Sequence, residues 1–416
     1  MKTAIFLGRR LQLKPNGGKG ATPGVFIAVA GISLSLIIMI VSVSIVTGFK
    51  KEITQKLEGF NASISLYDVT SATPEKARTS GIKLTKSLYA SIDSIIPGAQ
   101  ATISIHQPAI FKTDDAFQGV IIKGYPDNAK SSFLESVITE GRAPRYTNES
   151  EEVAISTYMA AKLGLKTGDR VFTHFLDNNN IKTRRFTVSG IYDSHFADFD
   201  KMYAFVRIQP LQKLCKVDSL TGSVIEISGI PIKDVDAASE RLYNHLVSEV
   251  IDGHNEIVYG VDTVTNVCGQ FLNWLELLDT NVWVILILMA CVSSFTLISS
   301  MFILILQRVR TIGLLKAIGA SNRVISQTFV YMAVRLVVRG MIIGNIISIV
   351  LMYAQKFYHL IPLDAEAYYL NFVPVSVNWI VIAGINLAVL TISWLVLILP
   401  SQIIARLSPS RSLRYE

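Results

Sequence analysis

The sequence predicts a membrane protein: four transmembrane α-helices, with a large α+β extracytoplasmic (periplasmic) domain between helices 1 and 2. Three observations predict it. Of 416 residues, 50% are hydrophobic and 17% charged, too apolar for an ordinary soluble chain and too polar for a bundle made only of spans. The apolar residues collect into four runs long enough to cross a ~30 Å hydrocarbon core. Positive charge collects in short segments beside those runs, which places these segments on the cytoplasmic side.

Residues 1–23 form a cytoplasmic N-terminal segment with Lys2, Arg9, Arg10, Lys14 and Lys19 and no acid. Asn16-Gly-Gly-Lys-Gly resembles a phosphate loop, but Lys19 is not followed by Ser or Thr and no strand precedes it, so it reads as a flexible tether. The first span is 24–48. It is longer than a signal-peptide core and lacks a small-residue cleavage pattern, so it is read as uncleaved. Phe49, Ile53 and Leu57 then recur every fourth residue among charged ones, and the helix is expected to continue as an amphipathic stalk.

Residues 49–280 form the outer domain. They hold 24 Lys or Arg against 29 Asp or Glu, so the net charge of +7 comes from the short membrane-flanking segments. That distribution describes topology and excludes a nucleic-acid footprint. Segments 62–69, 101–113, 117–125, 152–156, 170–176, 184–192 and 202–208 read as strands, each bounded by Gly, Pro, Asn or Asp. Residues 157–165 read as a short helix closing at Gly164. Val235, Ala238, Leu242 and Leu246 mark an amphipathic helix between strands at 223–227 and 256–261. Strand–helix–strand units mixed with hairpins give an α+β domain, with enough elements for two lobes. A second stalk stripe, Phe271, Leu275 and Leu278, leads back to the membrane.

The second span is 281–306. The third is 324–355, where Arg335 and Arg339 lie one turn apart on one face, near the cytoplasmic end. A periplasmic loop, 356–376, precedes the fourth span at 377–400, stopped by Pro400, and a basic cytoplasmic tail at 401–416. Between spans two and three, 307–323 is a basic segment without acid, carrying Arg308, Arg310, Lys316 and Arg323. Ile312, Leu315 and Gly319 follow helical spacing, and Gly313 and Gly319 allow another surface to approach closely.

Enzymatic chemistry is not predicted. The six His are scattered, and no Ser/His/Asp or Cys/His grouping stands out. His195, Asp198 and Asp200 read as a polar loop between strands, since no fixed ligand spacing or second cluster supports a metal. Cys215, Cys268 and Cys291 have no metal-type spacing, and spacing alone does not decide a Cys215–Cys268 bridge.

Several segments carry a resemblance. Residues 307–323 look like the coupling helix of four-span ABC-transporter permeases (FtsX/MacB-type). Residues 30–49, Glu140-Gly-Arg-Ala-Pro, Glu152-Val-Ala-Ile-Ser, 163–169, 273–281, 363–375 and the ending Leu407-Ser-Pro-Ser-Arg-Ser-Leu-Arg-Tyr-Glu resemble lipoprotein-releasing permeases, the LolC/LolE family. Gln307 and Thr311 stand where related coupling segments usually carry Glu. The resemblance implies a permease of the bacterial inner membrane, both termini cytoplasmic, that extracts acylated lipoproteins for transfer toward the outer membrane. It implies two copies of a separate ATPase subunit that bind ATP and Mg, a second permease protomer (an identical copy or a paralogue), lipoprotein cargo and a periplasmic carrier, with no cofactor or metal on this chain. On this sequence the implied ATPase-coupling residues are Arg308, Arg310, Gly313, Lys316, Ala317, Ile318, Gly319 and Ala320. The implied acyl-chain groove takes Met39, Ile40, Val43 and Val46 on span one and Phe295 and Met301 on span two. The implied carrier-facing loop is 174–182, with His174, Phe175 and Leu176. Two other readings of such a permease are cargo-free mechanotransmission to a cell-wall hydrolase or sensor, and the membrane part of an efflux pump.

Overall fold

The computed structural model describes residues 23–69, 81–126, 132–146, 151–177, 180–252 and 257–406. The five N-terminal cations, and Arg411 and Arg414 of the tail, lie outside the described residues. In chain order the elements are α1 (Pro23–Phe60), β1 (Ile64–Asp68), β2 (Ile82–Lys83), α2 (Lys86–Ile95), β3 (Gln100–Lys112) and β4 (Phe117–Tyr125). Next come α3 (Ser132–Val137), β5 (Ile138–Gly141), β6 (Glu152–Ser156), α4 (Thr157–Leu163), β7 (Arg170–Asp177) and β8 (Asn180–Tyr192). They are followed by α5 (Ala197–Asp200), β9 (Tyr203–Arg207), α6 (Ile208–Cys215), β10 (Thr221–Gly222), β11 (Val224–Ser228), α7 (Ile232–Ile251), β12 (Tyr259–Thr263) and α8 (Val264–Val267). The chain closes with α9 (Gly269–Gln307), α10 (Val309–Ala317), α11 (Asn322–Tyr358), α12 (Ala365–Tyr368) and α13 (Trp379–Arg406). These elements fall into two units. One takes in the chain to Lys51, Leu275–Pro362 and the chain from Phe372; the other takes in Glu52–Trp274 and Leu363–Asn371.

The first unit is a helix bundle. Val25–Phe60, Gly269–Gln307, Asn322–Tyr358 and Trp379–Leu397 are each long and apolar enough to cross a membrane. Lipid offers no hydrophobic drive between helices, so close approach of small residues has to supply the contact. Gly340 and Gly344, one turn apart on α11, lie under α1: a Cβ at Gly340 would stand 3.0 Å from Ile32, and one at Gly344 3.0 Å from the Ser33 carbonyl oxygen. Between α11 and α13 two amides exchange hydrogen bonds, Asn345 Nδ2 donating to Asn386 Oδ1 at 2.7 Å and Asn386 Nδ2 to Asn345 Oδ1 at 2.9 Å. Lys50 on α1 pairs with Asp279 on α9. Pro400 does not stop the fourth helix, which runs through it to Arg406. A proline removes one helix hydrogen bond, a loss that spanning helices tolerate by local adjustment.

In the second unit α1 continues as the expected stalk: Ile53 and Leu57 are fully buried and Phe60 nearly so. Its strands form two joined parts that share β3. One is a four-stranded antiparallel sheet in the order β12-β1-β11-β3. With α2 after β1 and α7 after β11, this is a split β-α-β-β-α-β arrangement. The other is a closed ring. β3 pairs β4, β4 pairs β9, β9 pairs β6, β6 pairs β8, and β7 pairs both β8 and β3. Closure removes free edges. Phe111, Ile122, Val153, Val171, Phe175 and Phe186 fill the core of this part. Helix α4 is capped by Ser156, whose hydroxyl accepts from Met159 N, and ends at Gly164 in the left-handed region (φ 65°).

Two expectations change here, and one open question is answered. Residues 174–182 are not an open loop, because β7 and β8 pair up to Asp177 and Asn180. Residue 208 does not end a strand but begins α6, whose Leu211 and Leu214 are buried against the sheet. Cys215 and Cys268 do not bridge: the Cys215 thiol faces Gln107 Oε1 at 3.9 Å, and Cys268 Sγ accepts from Asn61 at 3.5 Å.

Candidate functional site

The bundle contains a cleft of about 540 Å³ between α1, α9 and α13. Met39 and Val43 line it from α1, Leu286 and Ala290 from α9, and Ile385 and Ala388 from α13; Trp283, Ser293 and Ser393 are the lining residues that carry a polar side-chain group. The cleft exists because small residues stand where a helix contact would otherwise close. A Cβ built at Gly384 meets nothing within 4 Å. An uncharged, apolar recess on a membrane helix bundle suits a hydrocarbon chain and offers nothing to an ion.

A second feature sits on α10. Ile312 is 1% exposed and packs with Met301, Ile305, Ile325, Phe329 and Leu397, which fixes the helix to the bundle. Its other face carries exposed apolar residues, Leu314 at 58% and Ile318 at 74%, with Ala317 and Gly319 also exposed. Gly319 has φ 89° and ends the helix, so its small size serves the turn as well as any close approach. A short helix anchored on one side and apolar on the other has the form of a docking knob.

The sequence model for the MacB-like periplasmic core domain matches residues 25–245, and that for the FtsX-like permease C-terminal region matches residues 283–409. The chain belongs to the FtsX/MacB family of ABC-transporter permeases. The lipoprotein-releasing system transmembrane protein LolC of Xylella fastidiosa (strain Temecula1) is 21% identical to this permease over 94% of the chain and 93% of its own length. The corresponding LolE of Haemophilus influenzae is 21% identical over 99% of each. Among solved structures, the periplasmic region of MacB from Actinobacillus actinomycetemcomitans aligns with 52% of the permease at 11% identity (96% of that chain, TM-score 0.32). The extracellular domain of YknZ aligns with 48% at 12% identity (99% of that chain, TM-score 0.32).

The structure of the permease sorts the expected site residues. Met39 and Val43 line the cleft. Ile40 and Met301 do not, because both are buried in the bundle's packing at 1% and 2% exposure. Phe295 projects from the bundle at 71% exposure, and Val46 is half-buried away from the lining. The α13 wall escaped the sequence reading, although the four-residue spacing of Gly384 and Ala388 is a signal that could have found it. On the proposed carrier loop, Phe175 is 1% exposed and packs on Phe186, so it cannot face a partner. His174 bonds its own hairpin through Thr183 Oγ1 at 2.9 Å, and the side chain of Leu176, like that of Arg310 on α10, lies outside the described structure.

In the second unit a junction gathers four separate parts of the chain. Lys56 of the stalk donates to the Ser194 carbonyl at 2.6 Å and the Tyr369 carbonyl at 2.9 Å. Phe196 stacks on Tyr369 at 4.5 Å, and Phe271 meets Tyr369 edge-on at 5.5 Å. Residues His195, Asp198 and Asp200 belong to this junction. Among the described residues no group of three or more His, Cys, Asp or Glu is placed to hold a metal. Asp200 is buried and accepts from Ser194 Oγ at 2.6 Å.

Burial lifts the Asp200 carboxyl from its ordinary 3.8 to about 6, against the opposing Ser194 bond. A carboxyl raised in the folded state binds its proton more tightly there than in the unfolded chain. Its stabilising contribution is complete below 3.8 and is lost as pH rises through about 6. The penalty at neutral pH is on the order of 3 kcal/mol. Asp200→Asn is therefore expected to raise the melting temperature relative to wild type above pH 6, with the gain shrinking as pH falls below 6. Melting curves of the full chain in detergent across that range check it, and a gain independent of pH would reject the protonation argument.

Proposed function

We propose that this permease extracts acylated lipoproteins from the bacterial inner membrane, driven by a separate ATPase subunit that seats on the exposed face of α10. Both termini are cytoplasmic in this reading, and a second permease protomer completes the membrane unit. The observation that carries it is the uncharged cleft between α1, α9 and α13, and the names of the LolC and LolE relatives support it. The energetics demand an outside drive: each buried CH₂ of an acyl chain is worth about 0.8 kcal/mol to the bilayer, so a multiply acylated protein does not leave unaided. On this chain the contribution is apolar surface for the departing chains and a mechanical link; hydrolysis belongs to the partner. Cargo-free mechanotransmission draws on the uninterrupted helices α1 and α9 but leaves the cleft without a role.

The test combines two variants in vesicles reconstituted with the ATPase. Val43→Asp places a charge on the cleft wall, opposing lipid entry by on the order of 2–3 kcal/mol. Gly384→Phe fills the cleft from a position where the added side chain meets open space. Both are expected to cut lipoprotein release at least several-fold with ATPase binding intact, whereas Gln55→Asp at an exposed stalk position stays near wild type. Wild-type release from both cleft variants, or wild-type permease purified in mild detergent without any acylated cargo, would remove the proposal.

A further inference from the structure

Helix α11 carries two arginines that the reading above does not use. Along its outer face the exposed residues change character once. Ser321, Asn322, Arg323 and Gln327 are exposed on the N-terminal stretch, and between Val338 and Lys356 the exposed residues other than Arg339 are Val338, Ile342, Ile343, Ile346, Ile347, Val350, Leu351 and Tyr353. Arg335 and Arg339 stand at the changeover, half-exposed and exposed respectively. Among the described residues neither has an ion-pair or hydrogen-bond partner; Arg335 only lies over the Tyr331 ring at 6.0 Å. At the other end of the apolar stretch the next exposed cation is Lys356.

The spacing sets a depth. From Lys356 back to Arg335 is a rise of about 32 Å at 1.5 Å per residue, the thickness of one hydrocarbon core. Arg339 then lies about 6 Å inside the boundary that Arg335 marks. Helical side chains lean toward the N-terminus, so the Arg339 stem reaches back toward that same boundary. The two guanidiniums, one turn apart on one face, thereby present ten N–H donors to one level of the bilayer, in the leaflet that meets the basic 307–323 segment. Guanidinium forks match phosphate oxygens bidentately, and a zwitterionic headgroup would bring its own cation to the same place.

We propose that Arg335 and Arg339 form a binding site for the phosphate of an anionic phospholipid. The lipid's acyl chains lie along the Ile342–Ile346 face, and the bound headgroup fixes the depth of α11.

The test uses the full chain in nanodiscs of phosphatidylcholine doped with spin-labelled phosphatidylglycerol or spin-labelled phosphatidylcholine. Wild type is expected to immobilise the anionic probe several-fold more than the zwitterionic one. Arg335→Gln/Arg339→Gln is expected to bring that ratio near unity, and Arg335→Lys/Arg339→Lys to restore part of it, because charge survives while the fork is lost. Helicity and gel-filtration position confirm that each variant is folded. Excess inorganic phosphate is expected to leave the ratio unchanged; complete displacement would show a free-anion site and overturn the lipid assignment. Undiminished selectivity in the double Gln variant overturns the site. If that variant instead loses association between permease protomers while keeping selectivity, the arginines serve a protein contact and the proposal fails.

Discussion

Lys123→Met is expected to destabilise the second unit by about 3–5 kcal/mol. The Lys123 side chain is 7% exposed, and its ammonium donates to Glu226 Oε1 at 2.8 Å and to the carbonyl oxygen of Phe60, the last residue of α1, at 2.8 Å. Glu226, 13% exposed, also meets His106 Nε2 at 2.9 Å. Burial alone would push the Glu226 carboxyl up, but Lys123 and His106 more than reverse it and hold it at about 2. Removing the ammonium leaves a buried carboxylate with one weak partner and an orphaned helix carbonyl. Replacing both charges is milder, so Lys123→Met/Glu226→Leu is expected to recover most of the loss. The sign of the pH dependence follows from the depressed carboxyl. Its contribution is present above the ordinary 4.5 and is lost only as pH falls toward about 2. Denaturant melts of the full chain in detergent check both variants; a Met variant as stable as wild type would show that the pair contributes nothing.

Gly344→Leu is expected to prevent the bundle from assembling. An added Cβ already stands 3.0 Å from the Ser33 carbonyl and 3.2 Å from Leu36, and the rest of a leucine has no room. Overpacking typically costs about 1–3 kcal/mol, and here the obstruction is backbone, which cannot rotate away. Gly344→Ala needs a shift of a few tenths of an ångström and is expected to be tolerated at reduced stability. Gly384→Leu, into open space, serves as the matched control for bulk on a spanning helix. A sharp gel-filtration peak and protease resistance for Gly384→Leu, with aggregation of Gly344→Leu, is the expected pattern. Equal behaviour of the two would mean that α1 and α11 do not depend on this crossing.

The spans were legible because hydrophobic length is a local property: each run exceeds what a buried soluble helix needs. Strands such as Phe117–Tyr125 and Glu152–Ser156 were legible from composition and the turn residues around them. Ring closure was not, since the pairing of β7 with β3 joins segments far apart in sequence and leaves no periodic trace. Helix α6 was hidden because β9 runs into it without a break at Arg207 and Ile208. Lys123 reads as an outward residue of an alternating strand; only the fold shows a helix end and a buried acid beside it. Asn345 and Asn386 are single amides in apolar runs, and their pairing depends on how two helices cross. On the cleft, Met39 and Val43 line it from span one, while Ile40, one residue along and about 100° further round the helix, is wholly taken up in the packing, which composition alone cannot resolve.

The split sheet has a consequence for how the chain is made. Strands β1 and β3 leave the ribosome well before β11 and β12, and everything from β4 to β10 is synthesised in between. Among the described residues β1 pairs with β11 and β12 alone, so these pairings wait until the end of the domain emerges. The six-stranded ring needs only β3 to β9 and can close earlier, with β3 then offering a finished edge to β11. Assembly therefore runs from the inserted part outward. Nascent chains arrested after β9 are expected to protect the ring against hydrogen exchange while the amides of β1 still exchange freely.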